Sequence, residues 1–97
     1  MRNNTDIGAF TYIQSENGVV IGKGVKIGGG CKIYSKSTID NKKGMVVILK
    51  GACVGANSVI MPGVVIGENS IVGALSFVNK DIPANETWAG IPAKKIK

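Results

Sequence analysis

Along this chain a large aliphatic residue returns at every sixth position. Ile7 and Ile13 begin the series, Ile21, Ile27, Ile33 and Ile39 continue it, and Ile48, Val54, Ile60, Ile66, Val72 and Val78 complete it. The step is six everywhere except from Ile13 to Ile21 and from Ile39 to Ile48, where it is eight and nine. Two residues before each aliphatic stands a small or β-branched residue: Thr5, Thr11, Val19, Val25, Cys31, Ser37, Val46, Ala52, Ser58, Val64, Ser70 and Ser76. Residues i and i−2 share one side of an extended chain. One side is therefore filled by a large and a small residue in turn, while the other side is mixed. Gly follows the aliphatic at Gly8, Gly22, Gly28, Gly55, Gly67 and Gly73, where a sharp turn after a short strand needs backbone freedom.

A period of six fits neither a helix nor a plain strand, so the repeating unit is strand plus turn. Three such units make one triangular coil of about 18 residues, and the chain has enough for about four coils. The pattern predicts an all-β fold, a parallel β-helix standing about 20 Å tall at the usual rung spacing. Grouped in threes, the aliphatics are expected to stack as Ile7, Ile27, Ile48 and Ile66, then Ile13, Ile33, Val54 and Val72, then Ile21, Ile39, Ile60 and Val78. The irregular steps place loops at Ser15–Gly18 and Asn41–Met45, both polar and Gly-containing.

Length adds a constraint. Ninety-seven residues make one small domain, 1–97, with coils over about 5–80 and a C-terminal tail over 81–97. A core of this size favours oligomerisation. No apolar run is long enough to span a membrane and no signal segment precedes the repeat, so no membrane partner is expected. Cys31 takes an inward slot and Cys53 an outward one, on different coils. This predicts no disulfide and suits a reducing, cytoplasmic setting.

The net charge of +6 comes from 12 basic and 6 acidic residues, with Lys94, Lys95 and Lys97 grouped at the end. The five percent of aromatic residues is too sparse for the basic-aromatic stripe of a nucleic-acid binder. An anionic small ligand is the better reading of the charge.

Three segments then carry a resemblance. The run Val54-Gly55-Ala56-Asn57-Ser58-Val59-Ile60-Met61-Pro62-Gly63-Val64-Val65-Ile66-Gly67, the run Ile71-Val72-Gly73-Ala74-Leu75-Ser76-Phe77-Val78-Asn79-Lys80-Asp81-Ile82-Pro83, and the ending Ala89-Gly90-Ile91-Pro92-Ala93-Lys94 resemble the hexapeptide-repeat acyltransferases. Among these, the chain resembles the maltose and galactoside acetyltransferases and the O-antigen or capsule sugar O-acetyltransferases. The resemblance covers nearly the whole chain and is densest from Ile48 onward. It implies a left-handed parallel β-helix, an exception to the usual right-handed crossover. It also implies a homotrimer that binds acetyl-coenzyme A, or another acyl-coenzyme A, between neighbouring prisms. The acetyl group would pass to a hydroxyl or amine of a sugar or other small polar acceptor.

Carried over residue by residue, the resemblance places Ala56 and Ala74 along the pantetheine arm. Asn79 and Lys80 match a Thr-Lys pair that contacts the cofactor. Lys94 and Lys97 match basic positions near the nucleotide phosphates, often Arg in relatives, and Pro92 and Ala93 border the adenine. Lysine keeps the charge without the guanidinium's bidentate fork. Trp88 is expected to pack the tail onto the prism.

One departure bears on catalysis. The chain contains no histidine, whereas the family's general base is a histidine suited to proton transfer near neutral pH. Relatives carry it in the segment matching Thr38–Asp40 or at the position matching Asn57. Asp40 is the candidate replacement base, and Asn57 could orient an acceptor or donate to an oxyanion without taking a proton. Absence of histidine also excludes the three-histidine zinc site of the carbonic anhydrases that share this prism, and no metal is expected. Relatives also have helices or coils that shape an acceptor pocket, whereas this chain enters its first coil almost at once. A catalytically silent trimeric scaffold is the competing reading.

Overall fold

A computed structural model describes residues 6–9, 11–14, 16–35 and 44–97. The short strands fall on three faces of a prism. The first face carries β1 (Asp6–Ile7), β4 (Lys26–Ile27), β7 (Cys53–Val54) and β10 (Ile71–Val72), followed by β12 (Thr87–Gly90) and β13 (Ala93–Lys95). The second face stacks β2 (Tyr12–Gln14), β5 (Lys32–Tyr34), β8 (Val59–Ile60) and β11 (Phe77–Val78). The third stacks β3 (Val19–Ile21), β6 (Val46–Ile48) and β9 (Val65–Ile66), and Ile82 adds a parallel bridge to Ile66. Every pairing between rungs is parallel; only the closing β12–β13 hairpin is antiparallel. The fold is a left-handed parallel β-helix of about four triangular coils.

The register corrects part of the expected stacking. The observed columns are Ile7, Ile27, Val54, Val72 and Trp88; then Ile13, Ile33, Ile60 and Val78; then Ile21, Ile48, Ile66 and Ile82. On the first and second faces the lowest pairs, Ile7 with Ile27 and Ile13 with Ile33, stack as expected. Above them each aliphatic sits one face away from its expected place, because β6 closes on β3 and gives Ile48 the rung assigned to Ile39. Ile39 itself lies outside the described residues. The physical reason is that a rung belongs to whichever strand completes the backbone ladder, not to the next residue in phase.

The inward positions behave as the six-residue pattern requires. Ile33, Ile48, Ile60 and Ile66 are fully buried, as are Val25, Cys31, Val46, Ala52, Ser58 and Ser70 at positions two residues before an aliphatic. Trp88, Ile82 and Ala93, which belong to the 81–97 segment, close the upper end of this core.

The buried hydroxyls have a specific task. At the corner between the first and second faces, Thr11 Oγ1 donates to the Gly28 carbonyl and Ser58 Oγ to the Gly73 carbonyl, each at 3.1 Å. Cys31 Sγ does the same to the Gly55 carbonyl. Ser76 Oγ donates to Gly73 O at 2.7 Å and accepts from Gly90 N–H at 3.1 Å. These corner carbonyls bend into the core, and a small donor beneath each satisfies it, which a buried polar group requires.

Corners close by a residue in the left-handed region. One column is Gly30 (φ 74°), Asn57 (φ 59°) and Leu75 (φ 60°); another is Gly24 (φ 73°), Gly51 (φ 76°), Asn69 (φ 59°) and Asn85 (φ 62°). Gly and Asn adopt this conformation readily. For Leu it costs roughly 1–2 kcal/mol.

Candidate functional site

Four of the positions implied by the resemblance, Ala56, Ala74, Asn79 and Lys80, flank the upper half of the second face. Ala56 and Ala74 lie one coil apart at its first corner, joined by the hydrogen bond from Leu75 N–H to the Ala56 carbonyl at 2.9 Å. Asn79 and Lys80 follow β11 directly and stand exposed at its other corner. Between the two corners the outward residues are Val59 and Phe77, in register on adjacent rungs and half-buried.

The glycines beneath the first corner set how closely its coils approach. A Cβ on Gly55 would lie 2.4 Å from Ala74 N, and one on Gly28 would lie 2.6 Å from Ala56 N. Real side chains do not tolerate such contacts, so the Gly column holds Ala56 and Ala74 at bare rung spacing.

The tail contributes cations at the same end of the stack. β13 pairs with β12 through Trp88↔Lys95, Ala89↔Lys94 and Gly90↔Ala93. The pairing continues in the bonds Thr87 N–H to Lys97 O at 2.6 Å and Ile96 N–H to Thr87 O at 2.7 Å. Lys95 faces Glu86, with Nζ 3.4 Å from Oε2. Trp88 Nε1 donates to Glu86 Oε1 at 2.9 Å. The Trp88 hydrogen bond and then the Lys95 ammonium hold the Glu86 carboxyl below its ordinary value of 4.5, against the opposing effect of partial desolvation. Lys94 and Lys97 are exposed and have no ion-pair partner among the described residues. Of the three tail lysines, only Lys95 is engaged in an ion pair among the described residues.

Pro92 is exposed beside them, but Ala93 as a whole residue is buried at 4% exposure. Little of Ala93, backbone included, is open to a ligand. Trp88 packs inward against the core, as its position above Val72 dictates.

Asn57 is exposed at the same corner as Ala56. Its Oδ1 would meet a Gly30 Cβ at 2.2 Å, so its side chain lies over the turn below. Asn69 lies over Gly51 in the same way. Asn57 therefore forms the turn as well as facing the corner. Asp40 lies outside the described residues. No group of three or more Cys, Asp or Glu residues is placed to hold a metal among the described residues.

Sequence reasoning missed three features. The Thr11–Cys31–Ser58–Ser76 hydroxyl and thiol column reads from sequence only as small residues. The strained, 64% exposed Leu75 is visible only through its φ. Tyr12 and Tyr34 make a tilted ring pair on the second face, 5.9 Å between centroids, which needed the β2–β5 register.

A shallow concavity of about 500 Å³ lies elsewhere, on the third face, among Leu49, Val65, Gly67, Asp81, Ile82 and Pro83. None of the residues implied by the resemblance lines it. Asp81 Oδ1 there accepts from Val65 N–H at 2.9 Å. On the lower rungs of this face the outward residues Val20, Val47 and Val65 are apolar, with Leu49 beside them, and Val20 is 48% exposed; Asp81 stands outward on the top rung.

Comparison with known proteins matches this geometry. The family model of the bacterial transferase hexapeptide (six repeats) matches residues 45–80, and that of the hexapeptide repeat of succinyl-transferase matches residues 3–35. The galactoside O-acetyltransferase of Escherichia coli K12 is 46% identical over 52 residues, which is 54% of this chain and 26% of the relative. The 2,3,4,5-tetrahydropyridine-2,6-dicarboxylate N-acetyltransferase of Staphylococcus aureus is 39% identical over 77 residues, 78% of this chain and 31% of the relative.

Among solved structures, the N-acyltransferase AntD of Bacillus cereus, in complex with dTDP and 3-hydroxybutyryl-CoA, superposes with a TM-score of 0.88 at 28% identity. The match covers 96% of this chain and 58% of AntD. A variant of AntD is held in complex with dTDP-4-amino-4,6-dideoxyglucose and coenzyme A. The polySia-specific acetyltransferase NeuO gives a TM-score of 0.88 at 31% identity, over 96% of this chain and 45% of NeuO. The chain spans 26% and 31% of the two curated relatives. With the hexad series, the register of its three faces and these matches in agreement, the chain belongs to the hexapeptide-repeat acyltransferase family.

Proposed function

We propose that this protein transfers an acyl group from acyl-coenzyme A, acetyl-coenzyme A in the first instance, to an amine or hydroxyl of a sugar or similar small polar acceptor. The single observation that carries this reading is the convergence on the upper second face. Two alanines held at rung spacing form one border and Asn79 and Lys80 the other, while at the same end of the stack Lys94 and Lys97, on and after the closing hairpin of the first face, have no ion-pair partner among the described residues. A long thin thioester arm with a polyanionic head suits small side chains along its length and cations at one end. Lys94 and Lys97 would face the nucleotide phosphates and Pro92 the adenine, with the buried Ala93 beneath it.

Bound acyl-coenzyme A supplies the activated thioester. The acceptor nitrogen or oxygen forms its bond to the thioester carbonyl carbon, the carbon–sulfur bond breaks, and the sulfur leaves as thiol after taking up a proton. With no histidine in the chain, proton removal falls to another base, and Asp40 is our candidate. Asn57, on the corner beside Ala56, would hydrogen-bond the developing oxyanion. An amine acceptor relieves the need for a strong base, because its lone pair attacks before the proton leaves. The amino sugar bound by the AntD variant supports this class of acceptor.

We further propose a homotrimer that works in the cytoplasm. The apolar outward column Val20, Val47 and Val65, with Leu49 beside it, supports association of copies, since a face of this kind is rarely left bare on a monomer. The absent histidine favours one other reading, a trimeric assembly module without turnover.

Titration calorimetry with acetyl-coenzyme A tests the first reading, followed by thiol release over a panel of amino sugars and sugars. Lys94→Glu with Lys97→Glu is expected to abolish cofactor binding while leaving sedimentation unchanged. Undiminished affinity in that double variant would overturn the placement of the nucleotide. Binding without thiol release across the panel would favour the assembly module.

A further inference from the structure

Leu75 is the point where this corner breaks its own rule. Among the described residues, those with positive φ are glycines, three asparagines and Leu75. In the two coils below, the equivalent position is Gly30 and then Asn57. The adjacent corner column shows that Asn can stand above Asn, since Asn85 follows Asn69 with the same φ and the same bond to the coil beneath. Asparagine would therefore fit at position 75 with less strain.

The fold gains little from the leucine in return. Its side chain is 64% exposed and stands apart from the buried core. Its backbone N–H bond to Ala56 would be made by any residue. An apolar side chain held in a costly conformation and left in water is accounted for when something else covers it. Leu75 follows Ala74 directly and bonds to Ala56, the two positions bordering the proposed cofactor arm.

We propose that Leu75 is a binding residue for the acyl-donor side of the site, closing over the pantetheine arm of acyl-coenzyme A. This rests on the acyltransferase reading, and it adds a contact that the Ala56 and Ala74 positions alone do not supply. The strain is local to one turn, so removing it should stabilise the fold while weakening the cofactor.

The test compares wild type with Leu75→Asn and Leu75→Met, using acetyl-coenzyme A as ligand. Leu75→Asn is expected to raise Tm by about 5 °C, to weaken acetyl-coenzyme A binding about tenfold by calorimetry, and to leave the sedimenting mass unchanged. Leu75→Met keeps an apolar cover and should bind within about threefold of wild type. If wild type itself does not bind acetyl-coenzyme A, the acyl-donor reading falls, and this inference with it. If wild type binds and Leu75→Asn binds equally well, only the role of Leu75 is refuted. A drop in sedimenting mass with affinity unchanged would also refute it, since a second copy would then be what covers the side chain.

Discussion

Gly55→Ala should damage this protein far more than its single added methyl suggests. The new Cβ would lie 2.4 Å from Ala74 N and 2.7 Å from both Ala74 Cα and the Gly73 carbonyl carbon. All three are backbone atoms of the next coil, so no side chain can swing aside. Ordinary contact needs the coils to separate by about 1 Å, given carbon–carbon contacts near 3.5–4.0 Å. The ladder bonds spanning that gap are Gly55 N–H to Val72 O at 2.7 Å, Cys53 N–H to Ser70 O at 2.9 Å and Leu75 N–H to Ala56 O at 2.9 Å. Stretched by about 1 Å they leave hydrogen-bond range. Each is worth about 1 kcal/mol net. Alanine's stiffer unfolded chain returns about 0.5–1 kcal/mol, so a loss of about 2–3 kcal/mol is expected. That is a large part of the 5–15 kcal/mol typical of a folded domain.

Gly63→Ala is the matched control. Gly63 has φ 78°, and a Cβ there would meet nothing within 4 Å, so only the backbone conformation costs, about 1 kcal/mol. Urea melts read both. With a slope near 1 kcal/mol per molar, the Gly55→Ala midpoint should fall about 1–2 M further than that of Gly63→Ala. Equal midpoints, or a worse Gly63→Ala, would refute the claim that rung spacing at this corner is set by backbone contact.

Three further outcomes follow from the same structure. Ile60 is fully buried, so Ile60→Asp should abolish folding by circular dichroism, whereas Ile60→Val should cost about 1 kcal/mol; a folded aspartate variant would refute the closed core. Asn57→Gly preserves the left-handed turn, so Tm should hold while kcat falls by about a hundredfold if the amide stabilises the oxyanion; unchanged kcat would leave Asn57 as a turn residue only. The lowered Glu86 carboxyl contributes stability above its ordinary 4.5, and that contribution is lost as pH falls through the depressed folded value. The Tm gap between wild type and Glu86→Gln should therefore be open at pH 7 and close in acid, and a gap independent of pH would contradict the Trp88–Glu86–Lys95 arrangement.

The six-residue period was enough to read the prism, because only a strand-and-turn unit buries a large and a small residue at that spacing. It was not enough to read the register. Phase alone puts Ile39 on a rung, yet the backbone of β6 finds its partners in β3, and no side-chain pattern encodes which strand completes a ladder. The site divides in the same way. Ala56, Ala74, Asn79 and Lys80 came as candidates from the resemblance and not from the period, and the structure sets them at the two corners of one face because each follows a rung aliphatic. The buried methyl of Ala93 was not legible, because the tail leaves the hexad and its inward side is decided by the β12–β13 pairing. Nor was the division of labour among the lysines. Sequence shows three cations of equal standing, and only the hairpin register sets Lys95 beside Trp88 and Glu86 and leaves Lys94 and Lys97 without an ion pair among the described residues. Leu75 carries this furthest. As a letter it is one more aliphatic outside the six-residue series. As a residue at φ 60° it is a local conflict with the fold, and such conflicts concentrate where a protein meets its ligand.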